Sequence, residues 1–219
     1  MSIDYAELKT VLYSAVLSDT LDGFGRMRQA MRPFVRPLDE ALVMFGRART
    51  GLYMATYSVA DGENPYEIEI ALVDDLKPDD VAVFGCGGPT DRIAPWGELL
   101  STASRARGAA GCVTDGLVRD VRQIRALGFP VFHGGIGPLD SRGRGKMMAM
   151  DVPTECGGVL VRSGDFVFGD VDGVVVIPQD IAPDVIATAL EKISGENKTR
   201  AHLEKGMLLA EVFAKYGIL

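Results

Sequence analysis

The residue types able to do chemistry in this chain gather in two short segments, Trp96-Gly97-Glu98-Leu99-Leu100 and Asp115-Gly116-Leu117-Val118-Arg119-Asp120. Glu98 falls in the first turn of an expected helix, so the N–H groups of Leu99 and Leu100 are among the donors that no helical carbonyl reaches. Such donors, with the helix dipole behind them, hold a carboxylate or an enolate oxygen. One strand later, Arg119 and Asp120 open another helix. If the two strands are parallel neighbours, both strand-to-helix junctions lie at the same carboxyl edge of the sheet, where open α/β sheets bind ligands. Glu98, Arg119 and Asp120 then converge. A hard cation such as Mg²⁺ takes one or two carboxylates, water and substrate oxygens. A 2-oxo acid chelates such an ion through its carboxylate and keto oxygen. Arg119 suits an enolate that forms, and Glu98 suits orienting or deprotonating a bound water. An Arg-Asp pair at a helix start is also read as a cap beside a solvated charge.

Other chemistries are absent from the sequence. The two histidines, His133 and His202, lack the spacing of a zinc site. No Gly-x-Ser-x-Gly elbow and no Gly-x-x-x-x-Gly-Lys-Ser/Thr loop occurs. Gly85-Cys86-Gly87-Gly88 follows a strand but does not match a dinucleotide fingerprint, and the next helix starts too late for one. It reads as a strand-ending turn with a substrate-facing loop. His133, after an apolar strand, reads as a packed or hydrogen-bonded residue rather than a catalytic one.

The elements that must position these residues follow from periodicity and punctuation. Leu8, Leu12, Ala15 and Val16 recur at helical spacing, and Ser18-Asp19-Thr20 offers the cap of a second short helix ended by Gly23 and Gly25. Residues 34–59 read as β structure broken at Pro37 and Gly46. A helix is expected from Asn64-Pro65 to about Leu76, a buried strand over Asp80–Phe84, a helix over Trp96–Arg107 and a strand over Ala110–Thr114. Asp115-Gly116 reads as a turn, followed by a helix over Arg119–Leu127 and a strand from Pro130. This alternation predicts central parallel pairing. Short strands separated by Gly/Asp turns fill 146–178 as a meander, which argues against a regular eightfold barrel. A long helix over 180–204 and a short one over Met207–Tyr216 close the chain.

Composition bounds the function. The net charge of −7 excludes a fold-wide basic field, so no nucleic-acid partner is expected. Local positive charge for an anionic substrate must come from Arg, a metal or helix N-termini. No apolar run approaches the roughly 18 residues of a membrane helix, and Met1–Tyr13 carries Asp4, Glu7 and Lys9, unlike a signal peptide. Cys86, Cys112 and Cys156 lack paired spacing and read as buried, reduced thiols. A cytoplasmic protein with one domain over residues 1–219 is expected.

Gly97-Glu98-Leu99-Leu100 and Gly111-Cys112-Val113-Thr114-Asp115-Gly116-Leu117-Val118-Arg119-Asp120 resemble the RraA-like family. That family holds the class II 4-hydroxy-4-methyl-2-oxoglutarate aldolases and the regulators of ribonuclease activity. The likeness covers nearly the whole chain. It extends to Ser18-Asp19-Thr20-Leu21-Asp22, to Gly46-Arg47-Ala48-Arg49-Thr50 and to the strand pair over 169–178.

The resemblance implies an α/β fold of the swivelling ββα type, with central parallel strands, and a homotrimer or hexamer with its site between subunits. It implies a Mg²⁺- or Mn²⁺-dependent lyase that cleaves a 4-hydroxy-2-oxo acid to pyruvate and also decarboxylates oxaloacetate. By position, Asp120 is the implied metal ligand, Glu98 holds metal-bound water, and a neighbour's Glu196 completes the set. Arg119 contacts substrate, Gly97 to Leu100 form the substrate loop, and Asn64 is a further polar contact. Two departures stand out: Glu98 where the aldolases carry Asp, and Gln123 at a place often acidic in the family. The competing branch is a non-catalytic regulator that binds a ribonuclease. It typically lacks an acid directly after the Arg, and Asp120 supplies one here. Another sugar-acid reaction on the same scaffold is the third alternative. The methyltransferase label sometimes attached to the family finds no adenosylmethionine-type loop here.

Overall fold

The computed structural model describes residues 4–217; Met1 to Ile3, at the head of the segment read above as unlike a signal peptide, and 218–219 lie outside the described residues. One sheet organises the chain. Its centre is four parallel strands, β2 (Met44–Ala55), β3 (Asp80–Gly85), β4 (Gly111–Val118) and β5 (Val131–Ile136), joined by helices α3 (Glu67–Asp75), α4 (Glu98–Ala106) and α5 (Val121–Leu127). The expected parallel centre is therefore present, in mixed company. The two-residue β1 (Arg36–Pro37) pairs antiparallel with β5, and β9 (Phe166–Asp170) pairs antiparallel with β2 and with β10 (Gly173–Ile177). Arg36 donates to the Asp172 carbonyl at 3.0 Å, so the two ends of the sheet nearly close into a barrel. The long β2 serves two partners on one edge: Met44–Arg47 pair with β9, and Gly51–Ala55 pair with β6 (Gly145–Met150) across a register shift at Leu52/Tyr53. A separate hairpin, β7 (Thr154–Cys156) with β8 (Val159–Val161), follows β6.

The strand period of two sorts the core. Along β3, Val81 and Val83 face inward onto Phe132, Val167, Val174 and Val176. Ala82 and Phe84 face outward onto Leu72 and Val73 of α3, Trp96 and Ile124 of α5. Both faces are covered, as parallel strands require, and each fully buried aliphatic such as Leu72 contributes about 1.5–3 kcal/mol. A third cluster packs Phe45, Phe166 and Phe168 against α2 (Ser14–Gly23) and α6 (Ala182–Leu203).

Three local expectations are corrected. The first break between helices falls at Leu12–Tyr13, after α1 (Tyr5–Val11), not at Ser18-Asp19-Thr20, which lies inside α2. The cap comes from across the molecule: Asp170 at the end of β9 accepts from Ser14 N at 2.8 Å and Ser14 Oγ at 2.7 Å. Gly46 does not break the β structure. It sits within β2 because a Cβ there would stand 2.1 Å from the Asp79 carbonyl. Asp115-Gly116 is no turn, and β4 continues to Val118. The Asp115 carboxylate is turned inward, where it accepts from Cys86 N (2.6 Å), Gly88 N (2.8 Å) and Gly157 N (3.3 Å).

The C-terminal α6 and α7 (Leu209–Tyr216) complete the fold. All three cysteines are buried and unpaired, as expected. Among the described residues no helix is long and apolar enough to cross a membrane.

Candidate active site

The stretch before α4 builds the site. Ile93 to Trp96 runs alongside the end of β4, with the Ile93 carbonyl accepting from Leu117 N (2.8 Å) and the Trp96 carbonyl from Arg119 N (3.1 Å). Trp96 is buried and its indole N–H donates to Ser101 Oγ at 2.8 Å, which fixes where α4 begins. Gly97 is thereby pressed against the Arg119-Asp120 pair. A Cβ on it would lie 2.7 Å from Asp120 Oδ2 and 3.2 Å from both Arg119 Cγ and Nε.

Asp120 adopts left-handed backbone, φ 59°, and its side chain does not cap α5. It reaches across to α4 and accepts from Glu98 N at 3.2 Å. The alternative reading of Arg119-Asp120 as a local helix cap is thus set aside. Arg119 lies between two acids, Nε 3.7 Å from Asp120 Oδ2 and Nη1 3.9 Å from Asp140 Oδ1. The N–H groups of Leu99 and Leu100 have no partner among the described residues.

These groups border a cavity of about 390 Å³, whose lining includes Gly97, Leu99, Leu100, Arg119 and Asp120. Glu98, between Gly97 and Leu99, is not itself among the lining residues; its carboxylate accepts from Thr102 Oγ1 one turn along α4 at 2.7 Å. Two expected residues are elsewhere within this chain. Asn64 is exposed and uses its side-chain oxygen to accept from Tyr66 N at 3.1 Å, so it shapes the turn before α3 and does not line the cavity. Glu196 lies on α6, hydrogen-bonded by the Tyr13 hydroxyl beside a different cavity.

Sequence reasoning missed the polar lining residues Tyr66, Glu69, Asp140 and Ser141, of which the first three bear on the chemistry. The Tyr66 hydroxyl donates to Asp140 Oδ2 at 2.8 Å. Burial opposes ionisation of Asp140, but the bonds from Tyr66 and the Arg142 amide and the charge of Arg119 hold its carboxyl below the usual range. Burial and the Asp140 carboxylate push the Tyr66 phenol up. Glu69 is buried in α3, accepts from the Tyr53 hydroxyl, and is pushed up to about 8 by burial and by Asp140, against the pull of Arg119. Glu69 did leave a signal: it occupies the stripe Glu69, Leu72, Val73, Leu76, where a charge is out of place. Asp140 arrives on the loop after β5 and had none. His133 is buried, as read from the sequence. Burial, then the charge of Arg125, lowers it to about 4, so it stays neutral.

A model of the RraA-like family, described as Aldolase/RraA, matches residues 14–176. A protein of Halalkalibacterium halodurans, named provisionally as a 4-hydroxy-4-methyl-2-oxoglutarate aldolase, is 33% identical over 190 residues, 87% of this chain and 84% of that one. Among solved structures, RraAS2 of Streptomyces coelicolor, an unusual member of the RNase ES inhibitor RraA family, superposes with a TM-score of 0.78 at 27% identity, covering 91% of this chain and 98% of its own. A structure described among novel cellulases from microbes of the gut ecosystem gives 0.82 at 27% identity, covering 90% and 89%. The family match over most of the chain, with this shared fold, has one consequence: the chain belongs to the RraA-like family.

Proposed function

We propose that the chain is a divalent-metal-dependent lyase that cleaves a 4-hydroxy-2-oxo acid, of the 4-hydroxy-4-methyl-2-oxoglutarate kind, to pyruvate and a carbonyl product, with oxaloacetate decarboxylation as a side activity. One observation carries this reading: Arg119, Asp120 and the free amides at the start of α4 border a single cavity. The Leu99 and Leu100 N–H groups suit the substrate carboxylate. The Arg119 guanidinium suits the oxygen that gains charge as the enolate forms.

The donor set fits a hard cation. Asp120 Oδ2 is engaged by Glu98 N, while Oδ1 has no protein donor among the described residues. No cluster of three or more metal-binding side chains occurs among those residues. That is compatible with Mg²⁺ or Mn²⁺ held by one carboxylate and otherwise by water and substrate. Asp120 would be the direct ligand, with Glu98 acting through water and Glu196 supplied by a neighbouring subunit of a homotrimer or hexamer. When bound, the ion supplies Lewis acidity to the 2-oxo group. It also offsets the acids around Arg119, which otherwise oppose an anionic substrate.

The likeness to RraAS2 favours a second reading, a non-catalytic regulator that binds a ribonuclease. A coupled pyruvate assay over a panel of 4-hydroxy-2-oxo acids and oxaloacetate, with Mg²⁺ or Mn²⁺ and then with EDTA, separates the two. The lyase reading expects pyruvate release that EDTA abolishes. No pyruvate from any substrate with either metal would overturn it and leave the regulator.

A further inference from the structure

Glu69 differs from the other acids of the cavity in what surrounds it. The residue is 7% exposed, and it is one of those lining the cavity that holds Arg119 and Asp120. From β2, Tyr53, itself 3% exposed, donates its hydroxyl to the Glu69 carboxylate. The charges of Arg119 and Asp140 act on it, Cys86 lies near it just after β3, and Tyr66 precedes its own helix as the cap residue. No guanidinium or ammonium is bonded to it among the described residues. A glutamate on the apolar stripe of α3 costs stability unless it has a task or a partner. Tyr53 is a partner, but a phenol paired with a Gln or a water would serve packing equally well.

We infer that Glu69 is the acid–base group of the reaction: its carboxylate takes the proton of the substrate 4-hydroxyl as the C3–C4 bond breaks, and the carboxylic acid so formed returns that proton to C3 of the pyruvate enolate. This role rests on the lyase reading and deepens it. The step balances without a co-reactant. The C3–C4 electron pair passes into the enolate, the 4-oxygen becomes the carbonyl of the departing product, and one proton travels from oxygen to carbon through Glu69. The other cavity acids suit the task less. Asp140 is held ionised by Tyr66 and the charge of Arg119, and Asp120 is the proposed ligand. Burial leaves Glu69 able to exist in both forms near neutrality, which is what a group that must first accept and then donate requires. Tyr53, hydrogen-bonded to the carboxyl, is a positioning residue.

Exchange of the pyruvate methyl protons tests this directly, because it needs proton transfer at C3 and no carbon–carbon cleavage. The full chain with Mg²⁺ is incubated with pyruvate in D₂O and followed by proton NMR, beside steady-state retro-aldol cleavage. Glu69→Gln is expected to slow both by about 100-fold or more, with KM and inhibition by oxalate, a planar mimic of the enolate, unchanged. Exchange at the wild-type rate in Glu69→Gln overturns the assignment. Should Glu69→Gln fail to fold, Tyr53→Phe keeps the carboxyl and removes the donor that favours its ionised form. Its exchange profile is expected to move to higher pH, and an unmoved profile overturns the assignment. A wild-type protein that neither exchanges pyruvate nor releases it overturns the lyase reading and this role with it. Wild-type exchange beside an unaffected variant removes Glu69 alone.

Discussion

The backbone N–H of Glu98 donates to Asp120 Oδ2 at 3.2 Å, across 22 residues of sequence. The bond joins the first turn of α4 to the start of α5 and orients a carboxylate that its own helix does not use. The charged cluster at the carboxyl edge of the sheet is therefore held together by one side chain meeting a foreign helix terminus, with Gly97 leaving the space between them.

Asp120→Asn keeps an oxygen for the Glu98 amide and removes the charge. Its unfolding free energy, read from urea titration, should stay within about 0.5 kcal/mol of wild type, while Mn²⁺ affinity by calorimetry and metal-dependent pyruvate release are lost. Asp120→Ala should likewise lose turnover without unfolding. Wild-type activity of either variant at limiting Mg²⁺ would remove Asp120 as the ligand.

Gly97→Ala tests the close approach. The backbone at Gly97 is extended, so alanine meets no strain there. Its Cβ must displace the Asp120 carboxylate and the Arg119 side chain. Thermal stability should change little, because both are ends of flexible side chains, while kcat/KM falls by about 10- to 100-fold. An unaltered kcat/KM would show that the pair tolerates displacement.

Arg119→Lys should lose most of kcat with a smaller change in KM. The guanidinium faces Asp120 and Asp140 with separate nitrogens, and a point charge cannot reproduce a planar fork. Steady-state kinetics with wild-type kcat would take Arg119 out of the reaction.

Stability should have limbs of opposite sign on the two sides of a pH optimum. Glu69 is raised from 4.5 to about 8 by burial first and Asp140 second, so the folded state holds its proton longer than the unfolded one. Its contribution is complete below about 4.5 and is lost as pH rises through 8. His133 is lowered from 6.5 to about 4, so its contribution is complete above 6.5 and is lost as pH falls through 4. Melting temperatures from pH 4 to pH 9 should flatten on the alkaline side in Glu69→Gln and on the acid side in His133→Gln. An alkaline limb unchanged in Glu69→Gln would assign it to another group.

Asp115→Ala should destabilise the protein by about 3 kcal/mol or more, read from urea unfolding. Three backbone amides, of Cys86, Gly88 and Gly157, lose the acceptor they share, those of Cys86 and Gly157 in a buried place. Asp115→Asn, which keeps one acceptor oxygen, should recover part of that loss.

Local pattern by itself determined the order of strands and helices from Asp80 to Phe132, the parallel centre, and the placing of Glu98, Arg119 and Asp120 at one edge. Strand and helix periods report which face of an element is apolar, and right-handed crossovers then leave little freedom in how such units stack. Only the tertiary structure decided the start of α2 at an Asp170 cap 156 residues away, the inward turn of Asp115, and the arrival of Asp140 beside Tyr66 and Arg119. It also put Glu69 against Tyr53 on the wall of the cavity, and it left Asn64 outside it. Each of these depends on a hydrogen bond or charge contact whose partner is set by packing between elements. Such a partner leaves no period in the residues around it, so nothing short of the folded chain reveals it.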